Sequence, residues 1–433
     1  MSNNYLHKKR SNKIQDRISL SLILFYLCLP VAGILPTQIV SILLMLLMFS
    51  LIMKDEFYYL YPACIVYYSY LYVPFTGLSL YRLYSLVLLV KILIRYKFKL
   101  KKSPQLAYAI ILTLYMLIAV MFVDIRTAIF GIVDILVIYL LVMNVMYQKD
   151  NKHFEKIIGA FTIACVASVL TGLTAGNTMS LSYEISGSWR ATNRFNGTFV
   201  DPNYCSLMYI LAIAGILAIK PFKKVINMLL MVTLGIGIAM TISFTGFIGL
   251  VITVLFYLIL TKQINMKTFC IIVALIIGLS GLFYYGTINT DAPVIGDIVY
   301  RINSYVLNYE SSSNGGLAVS RITIYQKVFD KFKNQNLLKI IFGMNVATPQ
   351  ISSTSIETVA HNDYMDTLYN LGVIFTTCFY SVIIYRFIKH IMRYRKYHDK
   401  RDAFIATTKV IWLYYSFVLT MLTERIFYLC LFI

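Results

Sequence analysis

The stretch that decides the fold is Val225–Leu260, VINMLLMVTLGIGIAMTISFTGFIGLVITVLFYLIL, framed by Lys220-Pro-Phe-Lys-Lys224 and by Lys262. It contains no Asp, Glu, Lys or Arg. Roughly 20 apolar residues cross the hydrocarbon of a bilayer as a helix. The stretch therefore reads as two spans, 225–241 and 243–260, joined by a tight turn at Ser243-Phe-Thr-Gly246. Working outward, similar spans are expected at 18–35, 37–53, 57–74, 78–94, 106–123, 129–147, 156–174, 203–219, 268–286, 364–388 and 404–422, with an apolar tail at 426–433. All are expected to be helices, because an open sheet leaves backbone groups unsatisfied in lipid. The expected fold class is an all-α polytopic membrane protein of about 12–14 transmembrane helices. Two outer-face loops interrupt it, 175–202 and 287–363, the longer containing an amphipathic helix.

Composition agrees. The 433 residues would allow two or three soluble domains by length, but 59% are hydrophobic and only 13% charged. An average soluble protein is roughly 25% charged. Mean hydropathy is +0.72. The 39 Lys+Arg against 19 Asp+Glu leave a net charge of +20, which in a soluble chain would suggest nucleic acid. With the N-terminus placed in the cytoplasm, 27 basic residues fall in inner segments and 11 in outer ones, with Lys409 inside a span. That bias is the positive-inside rule, and it accounts for the charge through topology.

The expected organisation is a basic cytoplasmic N-terminus (1–17), a first bundle (18–174), the shorter outer loop (175–202), central spans (203–286), the long outer loop (287–363) and C-terminal spans (364–433). No cleavable signal peptide is expected, since the first apolar span shows no small-residue cleavage site. The seven cysteines lie in or beside spans without a CxxC, which supports neither a disulfide framework nor a zinc site. In the long loop, Ile322, Tyr325, Val328, Phe329 and Phe332 recur at helical spacing, with Gly343 as a stop.

Three constellations can carry chemistry, all on the outer side. Arg194-Phe-Asn-Gly197-Thr-Phe-Val-Asp201-Pro202-Asn203 enters a span. Asp201 and Pro202 read as a helix start. Arg194 has no topological reason to be there, and its fork of donors suits a phosphate or, alternatively, a structural ion pair. Ser320-Arg321 begins the amphipathic helix, with Arg301 upstream. A cation placed against a helix N-terminal dipole suggests an anion between them, unless Arg321 or Arg301 simply pairs with Glu310 or Asp297. His361-Asn362-Asp363-Tyr364 opens span 364–388, and His361 is the only histidine outside the inner segments. It suits a general base, and Asn362 suits a donor to a sugar or phosphate oxygen; the alternative is a helix cap. Glu424, in an apolar C-terminal segment, is either functional, or paired with Arg425 or simply exposed at the interface. No Asp-X-Asp, Walker loop, GxSxG or HExxH occurs, and His361, Asp363 and Asp366 make only a weak metal set.

Taken in order, R-x-x-G-x-F-x-D-P-N (194–203), Ser243-Phe-Thr-Gly246, Arg301, Ser320-Arg321 and H-N-D-Y-x-x-x-L-x-x-x-G (361–372) resemble the O-antigen ligase and O-antigen/capsule polymerase superfamily, over roughly 160–430. One departure is Phe244, where many members have Arg. The resemblance implies an integral membrane glycosyltransferase with no metal, no other cofactor and no nucleotide sugar. Its donor would be an oligosaccharide on undecaprenyl pyrophosphate, presented at the outer face of a bacterial inner membrane. By position, Arg194, Arg321 and His361 would be catalytic, and Arg301, Asn203, Asn362, Tyr364 and Glu424 would bind substrate. Arginines would neutralise the leaving pyrophosphate, His361 would orient the acceptor hydroxyl, and the anomeric centre would invert. Abundant Tyr and Phe favour a polymerase of lipid-linked repeat units for O-antigen or capsule over a ligase. A polysaccharide flippase is the rival of another class, although it would place polar residues nearer the midplane. Partners would be the lipid-linked oligosaccharide as donor and acceptor, membrane lipid and a chain-length regulator, with no nucleic acid.

Overall fold

A computed structural model describes residues 18–96, 104–119, 125–146, 152–185, 188–263, 285, 296, 325–326, 328–343 and 362–419. The helices are α1 (Leu20–Cys28), α2 (Thr37–Leu51), α3 (Tyr61–Val66), α4 (Leu80–Tyr96), α5 (Pro104–Ala119), α6 (Ile125–Leu141), α7 (Lys152–Ala175), α8 (Pro202–Ile219), α9 (Lys224–Met240), α10 (Phe244–Leu260), α11 (328–333), α12 (Leu337–Phe342), α13 (Asp363–Tyr397) and α14 (Lys400–Tyr415). Among the described residues four segments, Ile129–Met146, His153–Ala175, Pro202–Ile219 and Leu371–Tyr397, are long and apolar enough to cross a membrane, and five shorter apolar helices accompany them. The expected all-α polytopic class holds. The expected span 268–286 and the tail 426–433 lie outside the described residues.

α8 organises the bundle. It is apolar around its whole circumference and buried along nearly its whole length, as expected of a central helix. It packs against α7, α9, α10 and α14. Gly249 lets α10 approach: a Cβ there would meet Tyr415 at 2.9 Å and Ile210 at 3.2 Å. Small residues at such crossings are the membrane solution to close helix packing. α2 and α9 turn Ile39, Ile42, Leu46, Met228, Leu229 and Val232 outward, faces that suit lipid.

Three expectations need correction. First, 57–74 is not one span. The chain forms a 3-10 turn at Asp55–Leu60, the short α3 led by Pro62, and then bends into a bridge between Tyr72 and Ser79. Phe57, Tyr58, Leu60 and Tyr61 are all buried, so irregular backbone is tolerated here inside protein rather than against lipid. Second, the loop 175–202, for which the sequence reading gives no element, is structured. It holds an antiparallel hairpin, β1 (Thr178–Ile185) and β2 (Ser188–Phe195), with Met179 opposite Arg194.

Third, 364–388 is not one straight span. α13 breaks at Gly372, whose φ of 77° and ψ of 173° belong to a region essentially restricted to glycine. The arms fold against each other: the rings of Tyr364 and Tyr380, eight residues on either side of Gly372, lie with centroids 4.4 Å apart, tilted by 31°. The short arm 363–371 is thus re-entrant. Its start lies in the protein interior, with Asn362, Asp363, Asp366 and Thr367 all buried.

Candidate functional site

The site grows from the turn that joins the hairpin to α8. Gly197 takes φ 58°, and a Cβ there would collide with the Tyr209 hydroxyl. The turn is pinned on both sides. The Thr198 hydroxyl donates to Val66 O at 2.9 Å, and the Thr198 N–H donates to Ser168 Oγ at 3.2 Å. Asp201 then caps α8 by accepting the Asn203 N–H at 2.6 Å, with Pro202 in the first turn, as the sequence indicates.

This turn aims the end of β2 into the bundle. Arg194 is only 2% exposed. Its Nε donates to Thr241 O at 3.1 Å and its Nη2 to Asn203 Oδ1 at 3.2 Å. Thr241 ends α9, where a cation is favoured by the helix dipole. The next residue, Ile242, reverses the chain at φ 47°, and Ser243 starts α10 by capping Gly246 N–H at 3.0 Å. The Ser243 hydroxyl donates to Asn203 Oδ1 at 2.7 Å. The reversal thus lies at Thr241-Ile242, and Ser243-Phe-Thr-Gly246, expected as the tight turn itself, is the N-cap and first turn of α10, whose serine reaches Asn203 in α8.

A second helix start is tied to the first. The Ser206 hydroxyl donates to Asn203 O at 2.8 Å and lies 3.1 Å from the Tyr415 hydroxyl. The neighbouring Tyr414 hydroxyl donates to Thr245 O at 3.2 Å. The Asp363 N–H donates to Ser416 O at 2.7 Å. Asn362 caps the re-entrant arm by accepting the Met365 N–H at 3.1 Å, which is the cap alternative left open by the sequence. The Tyr364 hydroxyl donates to Leu413 O at 2.9 Å, and its ring makes tilted contacts with Tyr380 and Phe417. The starts of α8, α10 and the re-entrant arm are thus linked through Asn203, Ser243, Ser206, Tyr415 and Ser416. Each brings N–H groups and a positive dipole end to the same end of the bundle.

The long loop's helical residues reach this end as well. Tyr325 donates its hydroxyl to Phe417 O at 3.3 Å, and Val328 of α11 packs on Met365 and Tyr369 of the re-entrant arm. α12, started by Asn336 and stopped by Gly343, lies against Gly372. Arg301, Arg321, His361 and Glu424 lie outside the described residues. Among the described residues no group of three His, Cys, Asp or Glu gathers as a metal site. Thr241, Ser416 and the Ser206–Tyr415 pair were not singled out from the sequence. Only Ser243 left a local trace, a serine three residues before Gly246 at the start of an apolar run.

The described residues define an all-α polytopic membrane protein with linked helix starts and a buried arginine at one end of the bundle. Residues 229–380, which include Thr241, Ser243, Asn362 and Gly372, match the family model described as O-antigen ligase, and the match supports the O-antigen ligase/polymerase superfamily. No curated protein and no solved structure matches the chain.

Proposed function

We propose that the protein is a polymerase that joins undecaprenyl-pyrophosphate-linked oligosaccharide repeat units into O-antigen or capsular polysaccharide, at the outward face of a bacterial inner membrane. The observation that carries this reading is Arg194, buried and held on Asn203 and Thr241 at the starts of α8 and α10. Such an end favours an anion, and a guanidinium matches phosphate geometry. In this reading the acceptor hydroxyl attacks the anomeric carbon of the donor and the bond to pyrophosphate breaks on the opposite face, inverting that centre. Arg194, Arg301 and Arg321 neutralise the charge that develops on the leaving group. His361 takes or orients the hydroxyl proton. Asn362, Tyr364 and Glu424 stand on the acceptor side. The chemistry needs neither metal nor nucleotide sugar. The basic bias of the segments assigned to the opposite end supports the outward orientation.

The test uses purified protein, synthetic undecaprenyl-pyrophosphate repeat units and a gel readout of chain length, with and without chelator. A ladder of products that is insensitive to chelator is expected. Release of no product, or chelator inhibition reversed by added metal, overturns the reading. Ligation is the second reading, favoured by the description of the matched family. It uses the same donor chemistry, and it is recognised by transfer to an added lipid A–core acceptor without elongation.

A further inference from the structure

Asn203 occupies a position its neighbours leave only one way to fill. Its Oδ1 receives two donors, Arg194 Nη2 at 3.2 Å and the Ser243 hydroxyl at 2.7 Å. A guanidinium can only donate, so the carboxamide oxygen must face Arg194. The atom that Ser243 meets is this same oxygen, which can only accept, so the Ser243 hydroxyl donates to it while its own oxygen takes the Gly246 N–H at 3.0 Å. Both lone pairs of Oδ1 are therefore used, and the amide nitrogen is turned away from both residues. Among the described residues that nitrogen has no hydrogen-bond partner, and Asn203 is half-buried in the first turn of α8. The protein fixes the oxygen twice and leaves two N–H donors presented beside a guanidinium and a helix start.

We propose that Asn203 binds the donor substrate directly: its oxygen holds Arg194 in place while its amide nitrogen donates to a phosphate oxygen of the lipid-linked donor. Ser243 is the positioning residue that keeps the amide from flipping. This inference rests on the reading of the previous subsection and adds a phosphate ligand to it.

Asn203→Asp separates the two roles. The carboxylate keeps both acceptor positions at nearly the same size, so Arg194 and Ser243 retain their bonds. The N–H donor is lost and a negative charge faces the phosphate. The expected result is an unchanged melting temperature with the KM for the lipid-linked donor raised roughly 10- to 100-fold, the scale of a hydrogen bond to a charged group. Ser243→Ala is expected to raise the same KM less, and Ser243→Thr, which keeps the hydroxyl, to restore it. Binding is measured in parallel with undecaprenyl pyrophosphate and with undecaprenol as probes. The pyrophosphate probe alone should weaken in Asn203→Asp.

Wild-type KM and binding in Asn203→Asp overturn the inference, as does a fall in melting temperature that accounts for the lost binding. Equal weakening for both probes overturns the phosphate assignment. Wild-type protein that does not prefer undecaprenyl pyrophosphate to undecaprenol overturns the donor reading of the previous subsection, and this inference with it.

Discussion

Gly372 and Ile341 touch where no other residue pair can: a Cβ on Gly372 would fall inside the van der Waals envelope of the Ile341 carbonyl oxygen. The break that turns 363–371 into a re-entrant arm is therefore also the seat of α12. Both the conformation and the space require glycine. Gly372→Ala is expected to destabilise the protein by about 1–3 kcal/mol from the backbone alone, before any displacement of α12. Thermal unfolding in detergent measures it. A melting temperature equal to wild type would mean that the arm does not depend on this break.

Arg194 spends its guanidinium in two directions, towards Thr241 O and towards Asn203 Oδ1. A lysine ammonium is a single point and cannot span both. Arg194→Ala and Arg194→Lys are both expected to lower chain elongation roughly 10²–10³-fold, the scale of removing one preorganised electrostatic donor. Size-exclusion profiles check that each variant folds. Near-normal elongation by folded Arg194→Lys would reduce the residue to a structural charge.

The frame of the bundle was legible because lipid imposes it. α8, α9 and α10 begin and end within a residue or so of the spans read from the sequence, since charge at Lys220–Lys224 and Lys262 and capping at Asp201 mark their ends. Hydropathy is blind to backbone dihedrals, so the break at Gly372 and the irregular 55–79 segment read as ordinary spans. The hairpin does carry a sequence signal: Met179, Leu181, Tyr183 and Ile185 alternate with Thr178, Ser180, Ser182 and Glu184, the two-residue period of a strand. At the site, Arg194 and Asn203 stood out locally, but their meeting with Thr241 and Ser243 joins turns some 40 residues apart in the chain, as the spacing of the Asn203–Ser243 bond records. No local pattern encodes such a contact.

Phe75 stands at the tip of the turn between α3 and α4 with φ 63°, and its side chain is fully exposed. A side chain in the left-handed region costs about 1–2 kcal/mol, which glycine avoids. The ring makes no burial that would offset this cost. Phe75→Gly is expected to stabilise the detergent-solubilised protein by about 1 kcal/mol, net of the greater freedom of glycine in the unfolded chain. Thermal unfolding with and without added lipid checks it. Destabilisation confined to lipid-containing samples would show that the ring is held by the bilayer interface.

Asp55 pairs with Arg95 where the 3-10 turn after α2 meets the end of α4. The hydrogen bond from Arg95 holds the Asp55 carboxyl below its ordinary range. A lowered folded-state value means the pair stabilises at pH above the unfolded carboxylate range and loses that contribution as pH falls through the lowered value. Both side chains are nearly half exposed, so screening keeps the effect under about 1 kcal/mol. Asp55→Asn is expected to unfold slightly earlier than wild type at neutral pH and identically at strongly acidic pH. A difference that persists in acid would assign the loss to packing.

Asn362 and His361 are neighbours in the chain, and their variants should fail in different ways. The Asn362 carboxamide caps the re-entrant arm through the Met365 N–H. Losing an N-cap costs about 0.5–2 kcal/mol, so Asn362→Ala is expected to melt earlier while elongating at a moderately reduced rate. His361 precedes the cap in the sequence. If it takes or orients the acceptor proton, His361→Ala should keep the wild-type melting temperature and the wild-type affinity for undecaprenyl pyrophosphate. Elongation should fall roughly 10²–10⁴-fold, the range of general acid–base assistance. A variant that elongates normally would remove His361 from the chemistry and leave the proton to another group.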